Sequence, residues 1–284
     1  MTGRTAARTR RRTWIGGRVS RALGVALAAA ATAALAACTA VDSAPESGSA
    51  DGTGPGGSGA GVETELTVFA AASLVDVAER VTQAVQTQHP DLTVVISVAG
   101  SSDLVSQVVS GAPADVLVTA DEATMARAVE ADAVEQPAVV ALNHPALVVP
   151  SGNPAQVTGL DGSLEDAVLV VCAPQVPCGS AATELAKLAG TTLAPASEEL
   201  SVTDVLGKVT SGQADAGIVY ATDARRAGDA VELVPVPGAA DVTNRYPAAV
   251  VAGTDAPAAA RAWLAVLTGE TGRQILADAG FGLP

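Results

Sequence analysis

The sequence predicts an α/β protein of two lobes with a cleft between them. Three observations lead there. From residue 65 onward, short runs rich in Val, Ile, Leu and Thr alternate with stretches of helical periodicity. These βα units fall into two groups, and long extended crossings join the groups. The folded part is about 220 residues, and no internal repeat of short period marks a solenoid.

Glu65 to Ala70 is the first strand candidate. Leu74, Val77, Ala78, Val81, Ala84 and Val85 then recur at helical spacing after a turn at Ala71-Ala72-Ser73. The pattern repeats with strand Leu92 to Ala99, turn Gly100-Ser101-Ser102, and a helix carrying Leu104, Val105, Val108 and Val109 that stops at Gly111-Ala112-Pro113. Strand Val116 to Thr119 leads into a helix over Glu122 to Ala131, and Val139 to Val149 is an extended stretch that changes lobes. A second series holds strand Ala167 to Cys172, helices Ala181 to Ala189 and Val205 to Ser211, and strand Ala216 to Tyr220. Val231 to Val236 and Tyr246 to Ala252 are further strands. Pro257 to Ala279 is helical, with Trp263, Leu264 and Leu267 as core anchors. The first lobe is therefore expected at residues 64–143 plus 246–284, and the second at 144–245, each a mostly parallel sheet flanked by helices.

Ahead of these elements, seven arginines from Arg4 to Arg21 precede the apolar run Ala22 to Ala37 with no acidic residue among them. A basic segment followed by about 16 Ala-rich residues reads as an export signal, being short and weakly apolar beside the roughly 20 residues of a membrane span. It ends in Leu35-Ala36-Ala37-Cys38, similar to the lipobox of bacterial lipoproteins. Residues 1–37 thus read as a lipoprotein signal peptide and Cys38 as a lipidated N-terminus. An ordinary peptide cut at Ala-x-Ala would leave Cys38 incidental, and Arg11-Arg12 fits twin-arginine as well as general export. Residues 38–63, rich in Gly, Ser and Pro, predict a flexible linker to an extracytoplasmic domain held at the membrane by its lipid alone.

Removing the signal leaves nine basic residues against 30 acidic, a net charge near −21. That excludes nucleic acid, whose phosphates need Lys and Arg, and it means that an anionic ligand must be held by local dipoles. A monomer with no cofactor is expected. Cys172 and Cys178 remain in an oxidising compartment, so a disulfide between them is expected, two free cysteines being the alternative. His89, expected at a helix end, and His144, at the lobe crossing, are the only histidines; without HExxH or Cys-x-x-Cys spacing they make no zinc site. The chain has no G-x-S-x-G elbow, Walker A pattern or G-x-G-x-x-G after a strand, so the usual parts of an enzyme are missing.

What remains is a pair of serines where strands end and helices begin, Ser73 and Ser101. Free backbone N–H groups and the positive end of the helix dipole converge at such a turn, and a hydroxyl there can donate to an anion. A single serine of this kind reads more simply as an N-cap; two at parallel positions favour an anion site.

The segments Leu66 to Leu74, Ala99-Gly100-Ser101-Ser102, Gly111 to Val116 and Gly217-Ile218-Val219-Tyr220 resemble the molybdate-binding proteins of ABC importers, in order and over nearly all of residues 64–284. The resemblance implies a two-lobed type II periplasmic-binding-protein fold, no enzymatic activity, molybdate or tungstate as ligand, and an importer permease and ATPase as partners. It also implies that the oxyanion is held with no direct metal ligand, by Ser73, Ser101, the Tyr220 hydroxyl and two backbone N–H groups. By motif these groups fall on Cys178, in Val176-Pro177-Cys178-Gly179, and on Val205 after Asp204. Cys178 departs from the family's usual alanine.

The residue chemistry agrees. A tetrahedral dianion needs donors and no acceptors, and charge-assisted bonds contribute roughly 1.5 to 3 kcal/mol each. Rejection of sulfate must come from cavity size, while molybdate and tungstate should be nearly alike. Tyr220 can also be read as a core residue with a satisfied hydroxyl. Three other functions stay open: binding of sulfate, phosphate or a chelated metal; a cell-surface serine hydrolase using Ser73 or Ser101; and an adhesion or scaffold module with an empty cleft. The presence of only Tyr220 and Tyr246 weighs against ferric-ion binding, which generally needs several tyrosines.

Overall fold

Apolar runs bounded by turn residues become strands, and amphipathic stretches after them become helices that return each strand to its sheet. The computed structural model describes residues 64–284; the expected signal peptide, Cys38 and linker lie outside the described residues. The chain opens with β1 (Thr64–Ala71), one 3-10 turn at Ala72–Leu74, α1 (Val75–Gln88) and β2 (Leu92–Ala99). Next come α2 (Ser101–Val109), β3 (Val116–Val118), α3 (Glu122–Glu130) and β4 (Ala138–Asn143). Past His144 the chain enters β5 (Pro145–Pro150), β6 (Leu169–Cys172), α4 (Pro177–Leu188), β7 (Ser197–Glu199) and α5 (Val202–Thr210). It returns through β8 (Ala216–Tyr220), α6 (Ala221–Ala227), β9 (Val231–Val234) and β10 (Asn244–Val250), then closes with α7 (Pro257–Thr268) and α8 (Glu270–Ala279).

Two five-stranded sheets result, ordered β2-β1-β3-β10-β4 and β7-β6-β8-β5-β9. Within each, the βα strands pair in parallel, β2 and β3 on β1, β7 and β8 on β6. The remaining pairings, β10 with β3 and β4, and β5 with β8 and β9, are antiparallel, so both sheets are mixed. The reason is topological: β5 and β10 run against their neighbours because each follows a crossing between the sheets with no α-helix before it. β10 belongs to the first sheet although it follows the whole second sheet in sequence, and β4 and β10 pair with Asn143 opposite Asn244.

The expected anchors divide: Trp263 and Leu267 are buried, while Leu264 is half-buried. Trp263 Nε1 donates to Thr82 Oγ1 at 3.1 Å and ties α7 to α1. Asp115, within the Gly111 to Val116 motif, is structural, since its Oδ2 accepts from the Thr67 N–H at 2.7 Å and its Oδ1 from the Thr254 hydroxyl. His89 does end α1, donating its N–H to the Val85 carbonyl. Cys172 and Cys178 are bonded, joining the end of β6 to the first turn of α4. Among the described residues, no helix is long and apolar enough to cross a membrane.

Candidate functional site

One cavity collects the starts of four helices. It is lined by Ala71, Ala72 and Ser73 ahead of α1, Gly100 and Ser101 at α2, Pro177 and Cys178 at α4, and Leu200, Ser201 and Val202 at α5, with Ala120 and Tyr220 completing the wall. The first N–H groups of a helix have no partner within it, so each start presents backbone donors. Cys178, second in α4, and Val202, first in α5, are such positions. No charged side chain lines the cavity among the described residues.

The two sheets' loops meet across this site. Ser102 Oγ donates to the Gln175 carbonyl at 3.2 Å, and a Cβ added to Gly100 would lie 2.3 Å from the Leu200 carbonyl oxygen, so only glycine permits this approach. Gly179 is equally constrained, its missing Cβ falling 1.9 Å from the Ala173 carbonyl oxygen beside the disulfide. The space left holds the centre of an oxygen-sized atom over about 20 Å³. That is the scale of a site for a small ion.

Hydrogen bonding behind the wall fixes what each hydroxyl offers. Ser101 Oγ accepts from the Ala120 N–H at 3.0 Å, which leaves the serine's own hydrogen for the cavity. Tyr220 Oη accepts from Asn244 Nδ2 at 3.0 Å. Ser73 Oγ lies 2.9 Å from Tyr246 Oη, which in turn accepts from Asn143 Nδ2 at 3.3 Å. Burial pushes the pKa of both tyrosine hydroxyls well above the ordinary phenol value, so they stay protonated. The Tyr246 ring packs edge-on against Tyr220 at 6.0 Å and Phe281 at 5.5 Å.

Of the residues expected from sequence, Ser73, Ser101, Cys178 and Tyr220 line this cavity together, and Val205 does not. Val205 is fully buried, its N–H points back to the Ser201 carbonyl at 3.4 Å, and its side chain packs near Gly217. The helix begins three residues earlier than expected. Ser201 is the N-cap, its Oγ accepting from the Asp204 N–H at 3.3 Å, so Ser201 and Val202 occupy the wall instead. The sequence signal was present in Ser201-Val202-Thr203-Asp204, a hydroxyl followed three residues later by a carboxylate. Asn143, Asn244 and Tyr246 behind the wall were also missed, because their partners are remote in sequence.

The serines have no histidine base. Ser73 precedes α1 and His89 follows it, and a 14-residue helix is about 20 Å long. Ser101 is engaged by a backbone N–H, and His144 is not on the cavity wall.

Residues 66–282 match the family described as bacterial extracellular solute-binding protein. Over 221 residues the chain is 42% identical to the molybdate-binding protein ModA of Mycobacterium tuberculosis, covering 77% of this chain and 85% of that one. In three dimensions it is similar to the periplasmic molybdate-binding protein of Azotobacter vinelandii, with TM-score 0.63 and 23% identity over 77% of this chain and 99% of that one. It is as similar to the sulfate-binding protein SubI of M. tuberculosis, with TM-score 0.64 and 24% identity over 78% and 87% of the respective chains. The fold is thus shared by proteins named for different oxyanions, and at such identities it does not choose between them.

Proposed function

This chain belongs to the molybdate-binding proteins among the bacterial extracellular solute-binding proteins, and from that premise we propose that it captures molybdate, and tungstate with it, through Ser73, Ser101, Tyr220 and the backbone N–H groups of Cys178 and Val202. Members of the family are the extracytoplasmic, non-enzymatic components of ABC importers. The observation that carries the ligand assignment is the one-sided polarity of the cavity. Ser101 and Tyr220 accept from donors behind the wall, two helix starts face the same space, and among the described residues no carboxylate lines it to repel a dianion or to accept a proton from one. A fixed set of donors without counter-charge suits an ion that is fully deprotonated at neutral pH.

Within the oxyanions, sulfate has the same charge and tetrahedral shape, so its rejection must come from how far apart the donors around the cavity stand. The chain is proposed to act as a monomer, anchored by a lipid on Cys38, and to deliver its ion to a permease and ATPase.

Calorimetric titration with molybdate, tungstate, sulfate and phosphate tests this. Molybdate and tungstate should bind with similar affinity and raise the melting temperature, by about 2.7 kcal/mol of added stability at a hundredfold excess over Kd, and sulfate should not. Ser73→Ala, Ser101→Ala and Tyr220→Phe should each weaken molybdate binding by roughly 1 to 3 kcal/mol. If all three bind as tightly as the parent, the residue assignment is wrong.

A further inference from the structure

We propose that Asp204 is a positioning residue that withholds the Ser201 hydroxyl from the ion, so that the cavity holds its oxyanion less tightly than its wall would allow. The inference rests on the reading of the cavity as an oxyanion site. It begins with a hydroxyl on the cavity wall that the capture step leaves unused.

Ser73, Ser101, Ser201 and Tyr220 all bring a hydroxyl to this wall. Among the described residues, Ser201 is the one of the four whose hydroxyl meets a carboxylate. Its Oγ donates to Asp204 Oδ2 at 2.7 Å, a short bond of the kind a carboxylate accepts. A serine has a single hydroxyl hydrogen, so in the 2.9 Å contact with Thr203 Oγ1 it is the threonine that donates to Ser201. The Asp204 N–H donates to the same serine oxygen at 3.3 Å. The hydrogen and both lone pairs are thus engaged within the first turn of α5, and Ser201 has nothing left to offer an ion.

Arrival of the ion does not release that hydrogen. Turning toward the cavity would exchange one anionic acceptor for another and leave the Asp204 carboxylate without its partner, so the net gain is small. Neutralising Asp204 changes the comparison. The local acceptors are then uncharged, the side chain at 204 or Thr203 Oγ1, and a bond to a dianion is roughly twice as strong as a bond to either. Ser201 then becomes a further donor at the start of α5, next to Val202 on the same wall. Asp204 itself is exposed and off the wall, so its replacement leaves the packing around the ion in place.

Calorimetric titration with molybdate, at about 0.5 M sodium chloride to screen exposed charges, tests this in a double-mutant cycle. Asp204→Asn should bind molybdate about tenfold more tightly than the parent, the worth of one bond to a charged group. Asp204→Ala, which leaves no acceptor at this position, should do the same. On a Ser201→Gly background, where glycine still serves as a helix cap, the gain from either change should fall below about threefold. A carboxylate that merely stabilises the start of α5 would act in the opposite direction, its loss lowering both the apo melting temperature and the affinity. If Asp204→Asn and Asp204→Ala bind no more tightly than the parent, or gain as much with Ser201→Gly as without it, the proposal is overturned and oxyanion capture stands. A parent that binds no molybdate overturns the underlying reading and the proposal with it.

Discussion

Gly100→Ala should impair ligand capture by keeping the loops around Gly100 and Leu200 apart. Gly100 has φ −59° and ψ 135°, a conformation alanine adopts freely, so the substitution introduces no backbone strain. Its new Cβ would nevertheless sit 2.3 Å from the Leu200 carbonyl oxygen across the cleft. Ordinary carbon–oxygen contact begins near about 3.3 Å, so the two loops must part by about 1 Å. The Ser102 to Gln175 bond at 3.2 Å then passes out of range, and the donors on Tyr220 and Cys178 retreat from an ion held by Ser73 and Ser101. Loss of one charge-assisted bond, about 1.5 to 3 kcal/mol, corresponds to roughly ten- to hundredfold weaker binding. The apo protein should melt no higher than the parent, because the narrower unfolded ensemble is offset by the contact of the new Cβ with the Leu200 carbonyl. Calorimetric titration with molybdate and apo thermal unfolding read the two effects separately. Parent-like affinity would refute the argument, since it would mean that the bound state does not bring Gly100 against Leu200.

Three further outcomes follow from other parts of the molecule. Reduction of Cys172–Cys178 should destabilise the fold by roughly 2 kcal/mol, the scale for so short a loop, and weaken molybdate binding because Cys178 begins α4 at the cavity wall; thermal melts and titrations with and without reductant check both. Burial pushes the Asp223 carboxyl up to about 6, against the pull of Arg226 3.1 Å away. A carboxyl raised on folding stabilises below its ordinary pKa, and that contribution is lost as pH rises through about 6. The melting temperature of Asp223→Asn relative to the parent should therefore climb between about pH 4 and pH 7, and a pH-independent difference would contradict the assignment. Finally, Cys38→Ala should move the protein from the membrane fraction to the soluble one; full retention in membranes would rule out a lipid on Cys38.

Much of the architecture was legible because the strongest signals are local. Strand, serine turn and amphipathic helix follow one another in Leu66 to Val85 and again in Val94 to Val108, and both became βα units of the first sheet. What escaped notice lacks a local pattern. Ser197–Glu199 has no apolar alternation and is a strand only because β6 pairs with it, and Ala221–Ala227 is a short helix whose start is held by the Asp223 carboxylate on the Tyr220 N–H. The helix expected to begin at Val205 begins at Val202, because Ser201 caps it.

The binding wall was legible in composition and illegible in polarity. A serine or tyrosine hydroxyl is both donor and acceptor, and nothing in its neighbours along the chain decides which it will be toward a ligand. That choice is made by Ala120 acting on Ser101 from 19 residues away, by Asn244 acting on Tyr220 from 24, and by Tyr246 acting on Ser73 from 173. The last two pairs exist only after β10 has returned to the first sheet and brought Asn244 and Tyr246 behind the cavity. The late return of that strand therefore does more than close the sheet, since it sets Asn244 behind Tyr220 and Tyr246 behind Ser73.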